Sequence, residues 1–307
     1  MKRDLISIDD LKREEIDRYL ALAAKVEALS PEAKRAKLPG RVLAVLFYEP
    51  STRTRLSFES AMCRLGGSVI GFADAGATSV AKGESLRDTG RTVERYADAI
   101  VIRHPREGAA RVVAEAVQVP VINAGDGANQ HPSQTLLDLY TIQKFFGGLK
   151  SGLRIALVGD LKYSRTVHSL VQALALFSGI EFLLVSPPLL KLPSYLREVG
   201  HARKASFRES EDLREAIQGC DVVYMTRIQK ERFGDPVEYE KVKDAYLLTA
   251  EMLAGAKAGL RVMHPLPRVN EIAPDVDETE HAGYFEQVGN GIIVRQAVLL
   301  DLLGVTP

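Results

Sequence analysis

Cysteine is scarce: Cys63 and Cys220 are the two in 307 residues, far apart and in no CxxC pattern. This excludes a disulfide scaffold and a thiolate zinc site, and it fits a reducing compartment. No charge of one sign dominates either, since 40 Lys and Arg balance 40 Asp and Glu. A neutral chain has no long-range field to hold nucleic acid or a membrane surface, so any cationic site must be local. Long hydrophobic runs are missing too. The most apolar stretch, SLVQALALFSGIEFLLVS, is broken by Gln172, Gly179 and Glu181, and no segment suffices to span a bilayer. The opening MKRDLISIDDLKREEIDRYL is charged throughout and has no apolar core, so a cytoplasmic protein without a signal peptide is expected. There is no GxxxxGK(S/T), no GxGxxG after a strand and no clustered Asp/Glu set. ATP hydrolysis, dinucleotide binding and magnesium-assisted phosphoryl transfer are therefore not signalled, and no metal or cofactor is expected.

What is present is a recurring pair of patterns. Short β-branched runs fall at Val42–Tyr48, Ala99–Arg103, Val119–Asn123, Arg154–Val158, Glu181–Val185, Asp221–Met225, Tyr246–Thr249 and Arg261–His264. They are continuous rather than alternating, as strands buried on both faces are. Helical patterns intervene at Ser85–Ala97, Glu107–Val117 and Arg165–Phe177. Alternation of this kind predicts parallel sheets with right-handed crossovers. In HPSQTLLDLYTIQKFFGG, Pro132 suits a first helical position and Gly147–Gly148 a stop. This helix is expected to lead into a second sheet, and a last helix over Ile293–Leu303 to return to the first. The fold class is α/β: two similar domains, each a parallel β-sheet flanked by helices, joined by interdomain helices. The boundaries expected are 1–132 plus 289–307 for one domain and 133–288 for the other.

Open parallel sheets bind ligands beyond the carboxyl ends of their strands. Six such junctions are read here: Ser51–Arg55, Arg103, His131 with Gln134, Arg165, Arg227 with Gln229, and Leu266–Arg268. Five of the six carry an arginine and the sixth a histidine. Arginine's fixed fork matches carboxylate and phosphate oxygens, so the pattern points to a ligand with several negative charges. Ser51 also reads as a helix cap, but a helix start is an anion cradle as well. Arg53 and Arg55 leave a helix in nearly opposite directions, so Arg53 is taken for the ligand and Arg55 as structural. His131 and Gln134 share a helix face. The prolines flanking Leu266 leave backbone carbonyls free to accept, and a cis bond at Leu266–Pro267 is favoured above the base rate. The loop GFADAGATSVAKGES, with Ser79 and Lys82, reads as a mobile surface loop or as a lid carrying a cation. Arginines without a metal suggest phosphate as a leaving group.

These residues also carry a resemblance. STRTR (51–55), SVAKGE (79–84), RHP (103–105), HPSQTLLDL (131–139), GDLKYSRTVHSL (159–170), MTRIQKERF (225–233) and HPLPRVNEI (264–272) together resemble the carbamoyltransferase family, over nearly the whole chain. HPLPR and TRIQ resemble its aspartate-specific branch, since ornithine enzymes typically carry HCLP, whereas position 265 here is proline. The resemblance implies carbamoyl transfer from carbamoyl phosphate to the α-amino group of L-aspartate, towards pyrimidines, with no cofactor. It implies that Ser51, Thr52, Arg53 and Thr54, helped by Arg103, hold the phosphate of carbamoyl phosphate, with Ser79 also among the residues that bind this substrate. Thr54, Arg103 and His131 would reach its carbonyl oxygen, and Gln134, Leu266 and Pro267 its NH2 group. Lys82, Arg165, Arg227 and Gln229 would bind aspartate, with Arg53, Thr54, Lys82, Arg103 and His131 the catalytic set. It further implies a homotrimer whose sites are shared through the Ser79–Lys82 loop, with a separate regulatory chain or another pyrimidine-pathway enzyme as a further partner. Asn270 stands where Asp is common in the family, and Gly283 where an aromatic is. Asn270 bears on an ion pair of the closed loop, Gly283 on local packing.

Overall fold

The computed structural model describes residues 2–74, 76, 78–230 and 233–307. The chain divides into two units, Met1–Tyr140 with Gly289–Pro307, and Thr141–Val288. The first contains α1 (Arg13–Ala28), α2 (Pro31–Arg35), β1 (Val42–Phe47), α3 (Thr52–Arg64), β2 (Ser68–Phe72), α4 (Leu86–Val93), β3 (Ala99–His104), α5 (Ala109–Ala116) and β4 (Val121–Asp126), and ends within α6 (Pro132–Phe146). Leu43 to Phe47 and Ala99 to Ile102 are buried, which explains their unbroken apolar sequence. Ala44, Leu46, Ile100, Ile102, Val113 and Val121 pack into one core cluster. The second unit contains β5 (Arg154–Val158), α7 (Arg165–Leu174), β6 (Glu181–Val185), α8 (Ser194–Ala202), β7 (Ser206–Ser210), α9 (Leu213–Gly219), β8 (Val222–Met225), α10 (Pro236–Val242), α11 (Ala250–Leu253) and β9 (Arg261–Met263). Its final helix, α12 (Tyr284–Leu302), carries the chain back into the first unit.

Every strand pairing is parallel. The orders are β2-β1-β3-β4 in the first sheet and β7-β6-β5-β8-β9 in the second. In each sheet the winding reverses once, between β1 and β3 and between β5 and β8. At such a reversal the connections on either side run off in opposite directions and leave a crevice at the strand ends. Each unit thus presents one topological place for a ligand.

Local differences from the sequence reading have physical causes. β2 and β7 are not buried apolar runs: they are edge strands, and Ser68, Ile70, Gly71, Ser206, Arg208 and Glu209 are exposed along them. Tyr246–Thr249 is no strand; Leu248 makes one isolated bridge, to Ile272. Its apolar character serves burial of Leu248 in the second unit's core rather than a ladder. The last helix starts at Tyr284, well before Ile293. The bond before Pro267 is cis.

Candidate active site

At the β1/β3 reversal, Phe47 pairs with Arg103 and the Tyr48 N–H donates to the Arg103 carbonyl at 2.9 Å. This registers the N-terminus of α3 beside the end of β3. Ser51 occupies the N-cap position in extended conformation, but its side chain makes no capping hydrogen bond. A 13-residue helix with no acidic residue in its first turn leaves its N–H groups and dipole available to an anion. Thr52 and Arg53 are exposed there, whereas Thr54 is buried. Arg55 pairs with Glu59 at 3.1 Å, one turn on.

Arg103 is held firmly. Its Nη2 donates to Glu49 Oε1 at 2.6 Å and its Nη1 to the Ala124 carbonyl at 3.3 Å. Beside it the β3/β4 ladder shifts register, with three steps on β4 matching two on β3 between Ile102 and His104. Such bulges re-aim side chains at strand ends. Asp126, buried at the end of β4, accepts from Asn123 Nδ2 (2.8 Å), Gly108 N (2.8 Å), Gln130 N (3.0 Å) and Asn129 Nδ2 (3.0 Å). That carboxylate rigidifies the turn into α6 and so positions His131. His131 is buried, and its Nε2 stands 3.4 Å from Thr54 Oγ1. The structure therefore gathers the α3 N-terminus, Arg103, His131 and Gln134 in one unit. Ser79 and Lys82 lie on an exposed 3₁₀ turn, and among the described residues no hydrogen bond joins them to that set. Ala75 and Ala77 of the same loop, like Glu231 and Arg232 of the MTRIQKERF segment, lie outside the described residues.

At the β5/β8 reversal, Val158 pairs with Met225. Thr226 Oγ1 donates to the Val158 carbonyl at 2.9 Å and accepts from Asp160 N at 3.0 Å, stitching the two strand ends together. His168 Nε2 hydrogen-bonds the Leu161 carbonyl at 2.9 Å, and burial pushes its imidazole down, towards the neutral donor form. Arg165 opens α7 from this braced loop. Beyond β8, Thr226 and Ile228 are buried while Arg227 and Gln229 are partly exposed, an alternation that puts both polar side chains on one side of an extended segment.

After β9 the segment His264 to Glu271 folds around one buried pair. His264 Nδ1 accepts the Leu266 N–H at 2.7 Å, which leaves Nε2–H to donate to Glu271 Oε1 at 2.6 Å. Glu271 Oε2 accepts from Val269 N (3.1 Å) and Asn270 N (3.2 Å). Leu266 is thereby held at φ +53, a conformation costly for a side chain with a Cβ. Arg268, one of the junction arginines, is structural: it is forked onto Asp277 and donates to Tyr284 Oη at 3.0 Å. Asn270 donates to the Lys243 carbonyl at 3.2 Å and to Asp244 Oδ1 at 2.7 Å. The space beside Gly283 is filled by Phe145, which a Cβ would meet at 2.9 Å. Sequence reasoning missed Glu49, Asp138 and the His264–Glu271 pair. Asp138 was signalled only by its one-turn spacing from Gln134.

Arginines and a helix N-terminus at the reversals of two parallel sheets define a protein built to hold small anionic molecules. The comparisons sharpen this. Residues 3–144 match the family model described as aspartate/ornithine carbamoyltransferase, carbamoyl-P binding domain, and residues 151–302 match its Asp/Orn binding domain. The chain belongs to the aspartate/ornithine carbamoyltransferase family. It is 58% identical over 304 residues to the aspartate carbamoyltransferase catalytic subunit of Thermococcus gammatolerans, covering 99% of this chain and 98% of the relative. The solved catalytic subunit of Methanocaldococcus jannaschii aspartate transcarbamoylase is 54% identical, with a TM-score of 0.91 over 99% of this chain and 98% of that one. The Trypanosoma cruzi aspartate transcarbamoylase solved with carbamoyl phosphate and aspartate is 38% identical, with a TM-score of 0.89 over 97% and 96% of the two chains.

Proposed function

We propose that this chain transfers the carbamoyl group from carbamoyl phosphate to the α-amino group of L-aspartate, giving N-carbamoyl-L-aspartate and phosphate, a step of pyrimidine biosynthesis. The observation that carries the reading is 58% identity, over almost the full length, to a relative named as an aspartate carbamoyltransferase catalytic subunit. In the reaction the amine attacks the carbonyl carbon while charge builds on the carbonyl oxygen and on the departing phosphate. Donors fixed at those atoms favour the transition state over the ground state. Ser51, Thr52, Arg53, Thr54 and Arg103 take the phosphate, and Thr54, Arg103 and His131 the carbonyl oxygen. The 3.4 Å approach of Thr54 to His131 supports their sharing one atom of the ligand. Gln134 and the Leu266 and Pro267 carbonyls accept from the carbamoyl NH2. Arg165, Arg227 and Gln229 hold the aspartate carboxylates.

Ser79 and Lys82 complete the site from a neighbouring copy in a homotrimer. Their exposed 3₁₀ turn and the exposed Leu56 (51%) and Ile70 (40%) of the first unit support such an assembly. A regulatory chain or another enzyme of the pathway is a further partner, and the cytoplasm the compartment. Among the described residues no helix is long and apolar enough to cross a membrane.

Colorimetric ureido-product formation tests the reaction, with aspartate or ornithine as the acceptor. Turnover is expected with aspartate alone, and Arg53→Ala should lower kcat by about 10²–10³, as loss of one transition-state donor does, while Arg55→Ala changes it little. Turnover with ornithine, or none with either acceptor, would overturn the reading.

A further inference from the structure

Three polar groups lie buried where α6 meets α12 within the first unit. Asp138 is fully buried on α6, one turn after Gln134, and its Oδ1 accepts the Gln134 Nε2–H at 2.9 Å. Arg295 on α12 is 4% exposed, with its guanidinium carbon 5.0 Å from the centre of the Phe58 ring of α3. Gly291 makes room for it: a Cβ there would stand 2.6 Å from Arg295 Nη1 and 3.2 Å from Leu137. Burial pushes the guanidinium down to about 10, and the charge of Asp138 opposes the shift. A cation this deep is stabilised by an anion in its surroundings.

A primary amide has two unlike ends, a donating NH2 and an accepting oxygen, whereas a carboxylate only accepts. Gln134 must therefore turn its NH2 towards Asp138, which leaves Oε1 as the end presented elsewhere. We propose that Asp138, with Arg295 as its counter-charge, is a positioning residue that locks the Gln134 amide oxygen outward, so that the site selects a carbamoyl NH2 over an isosteric methyl group. The inference rests on the reading that Gln134 meets the carbamoyl group. A carboxylate that merely fills the α6–α12 junction would have no such selectivity attached to it.

Acetyl phosphate, which carries CH3 in place of NH2, separates the two roles. The full-length protein is titrated calorimetrically with carbamoyl phosphate, acetyl phosphate and inorganic phosphate. The wild type is expected to prefer carbamoyl over acetyl phosphate. Asp138→Asn, whose own amide lets Gln134 turn over, should cut that preference about tenfold, as a mispaired buried amide does, with phosphate affinity unchanged. Arg295→Met, similar in length, is the second arm and should show the same selective loss. An unchanged preference in both variants overturns the proposal. So does parallel weakening of all three ligands, or failure of both variants to fold, since either makes the pair structural. A wild type without any preference would bring down the underlying functional reading as well.

Discussion

The His264–Glu271 pair ties an acid–base equilibrium to the backbone that carries Leu266 and Pro267. Burial alone would raise the Glu271 carboxyl, but the His264 hydrogen bond, with the N–H groups of Glu271 itself and Val269, more than offsets it and holds it below the ordinary 4.5. A folded-state pKa below the unfolded one means that this stabilisation is fully present above the unfolded value and is lost as pH falls through the folded one. Thermal melts from pH 7 to pH 3.5 should therefore show a loss of stability below about pH 4.5 that Glu271→Gln flattens. At pH 7 the same variant should be less stable by about 1.5–3 kcal/mol, the usual worth of a hydrogen bond to a charged group. A variant whose melting profile stays parallel to that of the wild type would show that the pair does not govern the segment.

Among elements, the ends of β5 and β8 depend on one glycine. Gly159 sits at φ +110, and a Cβ there would approach the Thr226 carbonyl oxygen to 2.4 Å and Thr226 Oγ1 to 2.8 Å. Gly159→Ala combines a forbidden backbone conformation with a clash against backbone, so it should destabilise the second unit by at least about 2 kcal/mol. Because Thr226 also anchors Asp160 N, the KM for aspartate should rise in the same variant; an unchanged KM and melting temperature would refute the account. Central strands such as β1, β3, β5 and β6 were legible in the sequence because burial on both faces demands unbroken apolar runs. β2 and β7 were not, since they are largely exposed, unlike the edge strand β4, and such a strand takes its register from the neighbour's hydrogen bonds rather than from buried side chains of its own. Arg103, His131 and Arg165 could be picked out because a parallel sheet places its ligands at strand ends. A partner contributed from elsewhere in the chain, as Glu49 is to Arg103, leaves no mark on the local pattern. Arg268 looked like a ligand for the same reason, and only packing revealed Asp277 and Tyr284 as its partners.

At the scale of the molecule, a shared site makes an unusual claim about mixtures. If Arg53 and Lys82 reach one substrate from different copies, Arg53→Ala and Lys82→Ala chains are each inactive alone but complementary together. Dissociated, mixed one to one and reassembled, they should regain about a quarter of wild-type activity, the chance that both groups at a site are intact in a closed ring. No recovery on mixing would mean that each chain completes its own site.

The discontinuous first unit has a further consequence, for biosynthesis. Val294, Ala297, Val298, Leu299 and Leu300 of α12 are almost wholly buried, and Arg3 and Arg18 from the chain's beginning both pair with Asp301 near its end. On the ribosome, then, the first half of the polypeptide waits without its closing helix while the second unit, continuous from Thr141 to Val288, has everything it needs. The unit translated later is the one able to finish first, and the nascent first unit keeps its apolar face uncovered until α12 has been translated.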